Sequence, residues 1–161
     1  MTDDWQGRVD DVWAHASDYA ELDLVAAIDA LVAERPVDDP LAVFEAASAR
    51  DSAGLEAEAE PLYRRALELE LPADLAPRAT IQLASTIRNL GKFDESVELL
   101  ETQLAAHPGD EWTAATAAFL ALALASRGQE REAASVALTA LADSLPRYQR
   151  AVRGYAAELL E

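Results

Sequence analysis

Apolar side chains return at steps of three and four residues along most of the chain, the spacing that lines one face of an α-helix. Leu83, Ile87 and Leu90 form one such stripe, and Leu24, Ile28, Leu31 and Val32 another. Val9, Val12 and Trp13 mark a short helix near the start, while Tyr148, Val152, Tyr155 and Leu159 line a last helix. The interruptions are regular too. Gly54, Gly91 and Gly128 stand 37 residues apart, twice in succession. Four residues after each glycine comes Glu58, Glu95 or Glu132, and one further on a small residue, Ala59, Ser96 or Ala133. Ala47, Ala84 and Ala121 precede the glycines by seven residues, and Leu67, Leu104 and Leu141 follow them by thirteen. Pro72, Pro108 and Pro146 close the three units. An internal period of this length is the mark of a repeat architecture.

Each residue type has a physical place in one unit. Glycine suits the left-handed position that ends a helix. The glutamate that follows falls in the first turn of a second helix, where a carboxylate complements the helix dipole. Pro40 and Pro77 fall in the first turn of the leading helices, where proline is tolerated, with Asp39 and Asp74 as caps. Small residues at the shared positions let two helices pack closely. The expected fold is all-α: three helical hairpins at 40–72, 77–108 and 110–145, a degenerate hairpin at 4–35, and a capping helix at 147–161. All of it reads as one domain, with Leu83, Ile87, Leu90 and Tyr63 in the core.

The unit resembles the tetratricopeptide repeat (TPR), a helix–turn–helix of about 34 residues. Leu83, Ala84, Ile87, Gly91, Ser96, Leu100, Leu104 and Pro108 carry the resemblance best. Ala47, Gly54, Ala59, Tyr63, Ala66 and Pro72 form a first copy, and Leu120, Ala121, Leu124, Gly128, Ala133, Ala137 and Ala140 a third. The early tryptophan of the family is absent from all three. The segments 51–56 and 87–95 are most similar to a small bacterial branch labelled group 5, for which the resemblance implies homodimers. It also implies an α–α superhelix, a TPR-like solenoid whose leading helices line a concave groove.

Composition narrows the function. The chain holds 36 alanines and 23 leucines against seven prolines and six glycines, which is helix-forming material. Thirteen basic residues face 30 acidic ones, for a net charge of −17. Such a chain lacks the cations that attract phosphate, so neither nucleic acid nor an anionic membrane is an expected partner. Acids concentrate early: residues 1–60 carry a net of −13 and residues 61–161 a net of −4, with Arg147, Arg150 and Arg153 near the end. That asymmetry suits a basic partner or the basic end of a second copy. Cysteine is absent, which removes disulfides and thiol chemistry. The start, Met1-Thr2-Asp3-Asp4-Trp5, is acidic where a signal peptide is basic, and the most apolar run, 114–125, is too short to span a bilayer. A cytoplasmic protein is expected.

No catalytic motif is present, so no enzyme and no cofactor are expected. His15 reads as a helix-end residue and His107, before Pro108-Gly109-Asp110, as part of an exposed turn. The pairs Asp3-Asp4, Asp10-Asp11 and Asp38-Asp39 lack calcium-loop spacing. The binding candidates lie on the leading helix of the second copy. Arg78, Gln82, Ser85 and Asn89 recur at steps of 4, 3 and 4 and share a face, with Arg88 beside them. By the resemblance these are groove positions, and Phe44, Ser48 and Leu122 are their counterparts in neighbouring copies. Arginine can hold a carboxylate and amide side chains can satisfy an extended backbone. The expectation is an interaction module that takes a peptide or protein partner in this groove. The alternative is a homodimeric scaffold, with Trp5 and Trp13 as candidate contact anchors. Trp112 and Phe119 either line the groove or pack.

Overall fold

The structure, a computed structural model, describes residues 4–161. Met1-Thr2-Asp3, and with them half of the Asp3-Asp4 pair, lie outside the described residues. Among the described residues every regular element is helical: α1 (Trp5–Ala14), a single 3-10 turn (Ala16–Asp18), α2 (Glu21–Val32), α3 (Pro40–Ser52), α4 (Glu56–Glu68), α5 (Ala76–Asn89), α6 (Phe93–Ala106), α7 (Thr113–Ser126), α8 (Glu130–Ala142) and α9 (Gln149–Glu158). The chain divides into two compact units, one ending at Ala79 and the other running Thr80–Glu161. The division falls inside α5, whose first turn counts with unit 1.

The three spaced glycines close the hairpins as their residue type requires. Gly54, Gly91 and Gly128 have φ of 69°, 81° and 84°, a region costly for residues with a Cβ. Around Gly91 the Gly91 N–H donates to the Arg88 carbonyl and the Lys92 N–H to the Ile87 carbonyl, both at 2.9 Å. The same two bonds recur at Gly54 and at Gly128. This crossed pair satisfies carbonyls that a helix C-terminus otherwise leaves open.

Unit 1 buries Trp5, Val9, Val25, Ile28, Ala42 and Ala49 between α1, α2 and α3. Trp5 is 2% exposed, and its indole N–H donates to the Leu31 carbonyl at 2.8 Å, so it belongs to the core and offers no dimer contact. Arg50 on α3 grips Asp29 on α2 with two bonds of 2.9 and 3.0 Å. Asp39 caps α3 through the N–H groups of Leu41 and Ala42, with Pro40 at the first helical position. Phe44 on α3 meets the buried Tyr63 on α4, ring centres 6.1 Å apart. At the head of α5 the Leu75 carbonyl accepts the Ala79 N–H, so the capping position falls on Leu75 and Asp74 stands one residue ahead of it.

Unit 2 packs α5, α6, α7 and α8 around Ile81, Ala84, Val97, Leu100, Leu120, Ala123 and Leu124. The Ser96 hydroxyl donates to the Ala84 carbonyl at 2.7 Å, a contact only two small residues permit. Leu83 and Ile87 are buried as expected, but Leu90 is exposed, because it lies in the last turn where α5 gives way to Gly91. On α9 the packed face is Val152, Ala156 and Leu159 rather than the tyrosine stripe. Tyr148 and Tyr155 are 76% and 66% exposed. Tyr148 is a left-handed residue outside the helix proper, so its side chain leaves the register that the spacing suggested.

Candidate partner-binding site

The polar residues of α5 share a face, but they differ in how far they are already occupied. Arg78 is exposed, and its guanidinium lies 5.3 Å from the centre of the Phe44 ring, a cation–π contact within unit 1. Among the described residues it forms no ion pair. Gln82 is half-buried and its side-chain oxygen, sealed from water, accepts no hydrogen bond. Ser85 is half-buried and Asn89 exposed. Arg88 spends part of its donor set inside unit 2, giving one bond to the Ser126 hydroxyl at 3.3 Å and one to the Asn89 side-chain oxygen at 2.9 Å. Ser126 donates in turn to the Leu122 carbonyl, and Leu122 is 49% exposed. Arg88, Asn89, Ser126 and Leu122 thus gather at one place in unit 2.

Two expected contact residues are corrected. Phe44 is fully buried and Ser48 is 4% exposed, so neither presents a surface to a partner. The reason is that α3 is covered along its length: all eight residues from Ala42 to Ala49 are buried. Phe44 acts from below, as the platform for Arg78. Trp112 and Phe119 are half-buried against the unit 2 core rather than free in a groove.

Unit 1 contains an open cleft of about 720 Å³ beside Arg78, lined also by Gln6, Asp10, Trp13, Ala14, Leu41, Glu45, Pro72, Asp74 and Leu75. Glu45 is the chemically unusual wall. It is 8% exposed, and its Oε2 accepts the Trp13 indole N–H at 2.7 Å. Burial raises its proton affinity above that of an ordinary glutamate, and the nearby Asp10 adds to this. The Trp13 bond, the Arg78 charge and Gln6 oppose the rise without cancelling it. No motif or repeat position singles out this carboxylate, although the sequence holds a signal: Glu45 is the only acid in the run Ala42-Val43-Phe44-Glu45-Ala46-Ala47-Ser48-Ala49.

Other titratable groups do not converge. His15 and His107 have side chains 58% and 50% exposed, at the ends of α1 and α6. The Asp11 carbonyl and carboxylate raise the proton affinity of His15. Tyr63 donates to Asp51 at 3.2 Å, and burial pushes its hydroxyl well above the ordinary tyrosine value. Among the described residues no group of three His, Cys, Asp or Glu side chains is placed to hold a metal, and no helix is long and apolar enough to cross a membrane.

Helical hairpins in register, glycine-closed, with polar residues on a leading helix, define an all-α helical-repeat protein of the α–α superhelix class. The model of the tetratrico peptide repeat family matches residues 40–159, and the chain belongs to that family. No curated protein matches it. Among solved structures it is similar to the nearly identical TPR-like repeats of a Podosopora anserina protein described as a kinesin light chain. The identity is 19% and the TM-score 0.72, covering 99% of this chain and 94% of that one. A point-substituted form of the same repeats gives 18% and 0.74, with the same coverage. MamA from Desulfovibrio magneticus RS-1, residues 41 to the end, gives 16% and 0.66, covering 99% and 93%. These likenesses establish the fold. A TPR fold supports a general role as a protein–protein interaction module, and repeats of this kind are typically non-catalytic scaffolds.

Proposed function

We propose that the protein binds an extended segment of a protein partner along the polar face of α5, through Arg78, Gln82, Ser85 and Asn89, with Arg88 and Leu122 at the far end. The observation that carries this reading is the state of Arg78. Arg8, Arg35, Arg50, Arg64 and Arg65 each hold a carboxylate. Arg78 lines a cleft with three acids, yet its guanidinium rests on an aromatic ring, and among the described residues its donors are uncommitted. A planar donor held in place loses little freedom when a partner's carbonyl or carboxylate arrives. Gln82 continues the same face one helical turn further on, as a half-buried amide. The partner surface is protein rather than nucleic acid or membrane, in keeping with the net charge of −17. A cytoplasmic, non-catalytic role goes with this reading.

The test is capture of partners by the wild-type chain and by the Arg78→Glu, Arg88→Glu variant. The variant is expected to lose them while keeping its helicity; unchanged capture removes α5 from the account. A second reading, a homodimeric scaffold, is favoured by the exposed Tyr148, just ahead of α9, and Tyr155 on it. Light scattering after size exclusion decides it, since a strict monomer at micromolar concentration rejects self-association.

A further inference from the structure

A carboxylate taken out of water is costly unless a cation accompanies it. Glu45 is such a carboxylate, and among the described residues its hydrogen bonds come from neutral groups, the Trp13 indole N–H and the Gln6 side chain, with no ion pair. Arg78 lines the same cleft but makes no ion pair with Glu45, because its guanidinium lies over Phe44. Asp10 and Asp74 line the cleft as well, so three carboxylates face one guanidinium. The opening, at about 720 Å³, has ample room for a long side chain. Around it, residues 1–79 carry 19 acidic side chains against 6 basic ones, a net of −13. A field of that sign steers a cationic segment toward the cleft.

We infer that the Trp13–Glu45 cleft of unit 1 is the seat of a lysine or arginine side chain, and that the partner segment is therefore basic. The inference rests on the partner-binding reading and specifies the chemistry of what binds. The incoming cation pairs with Glu45, which has no ion-pair partner among the described residues. Asp10 and Asp74 attract it, and the Trp13 ring packs against its stem.

The indole N–H resonances of Trp5, Trp13 and Trp112 give three separate reporters in a nitrogen-15 spectrum of the full chain. The probe is acetylated, amidated hexalysine, with hexaglutamate as the control. Hexalysine is expected to shift Trp13 saturably and to leave Trp5 and Trp112 in place. Glu45→Gln, which keeps an acceptor for Trp13, is expected to weaken that binding at least about tenfold, roughly 1.4 kcal/mol. Asp10→Asn and Asp74→Asn, both at exposed positions, are expected to weaken it by smaller factors. Three indoles shifting alike, or an affinity unchanged by Glu45→Gln, would show attraction by net charge alone and overturn the inference. So would a peptide-free dimer that dissociates on Glu45→Gln, since a second copy's arginines would then occupy the seat. Loss of capture by the α5 variant together with a silent Trp13 sinks the seat but spares the α5 reading. A responsive Trp13 with capture untouched by the α5 variant does the reverse.

Discussion

Replacing Gly91 by alanine isolates the backbone term on which the hairpin depends. Gly91 has φ of 81°, and a Cβ built on it meets nothing within 4 Å, so no steric clash contributes. What remains is the strain of placing an L-residue in the left-handed region, about 1–2 kcal/mol. Stiffening the unfolded chain by removing a glycine returns about 0.4–1 kcal/mol. The net destabilisation is about 1 kcal/mol, which lowers the melting temperature of a chain of this size by about 2–4 °C. Asparagine tolerates the same conformation better and should fall between alanine and glycine. Gly154 supplies the control of opposite sign. It lies inside α9, also with nothing within 4 Å of a built Cβ, and alanine there should stabilise by about 0.5–1 kcal/mol. Thermal melts followed by far-ultraviolet circular dichroism give both values. Amide exchange at Lys92, whose N–H closes the turn onto Ile87, should quicken in Gly91→Ala. If Gly91→Ala matches or exceeds the wild type in stability, or shifts it in the same direction as Gly154→Ala, the turn does not depend on its glycine and the reasoning fails.

Glu45→Gln should stabilise the fold at neutral pH. The folded-state proton affinity of Glu45 is raised, so its penalty is absent at low pH, grows as pH rises from the unfolded value near 4.5, and is complete above the folded one. Denaturation at several pH values should therefore show the advantage of the variant shrinking as pH falls through that range. Tyr63→Phe removes a hydroxyl that donates to Asp51 and should lower stability by about 0.5–1.5 kcal/mol in a urea titration. Arg50→Lys breaks a two-bond grip between α3 and α2 on a half-exposed Asp29, with an expected loss of about 1 kcal/mol by the same measurement.

Features set by local chemistry were legible before any coordinates. The three glycines, the Asp39 cap with Pro40 behind it, and the Ser96–Ala84 approach each follow from what a short stretch of backbone needs. Burial was harder, because periodicity tells which way a side chain projects and not what stands there. Leu67 and Leu104 are half-buried, whereas Leu141, at the same repeat position, is 52% exposed. Phe44 and Ser48 occupy the same repeat register as the α5 face, yet α3 is covered where α5 is not. The Trp13–Glu45 pair joins residues 32 apart in sequence, on helices whose pairing no spacing rule announces. The division into two units leaves no mark in the repeat, although the acid excess does follow it: a net of −13 through residue 79 and −4 beyond.

A photo-crosslinking side chain placed at Ser85, and in a second protein at Thr102 on the exposed side of α6, tests the α5 surface most directly. With captured partner bound, the account requires an adduct from position 85 and none from position 102. An adduct from 102 alone, or equal yields from both, would contradict binding along the polar face of α5.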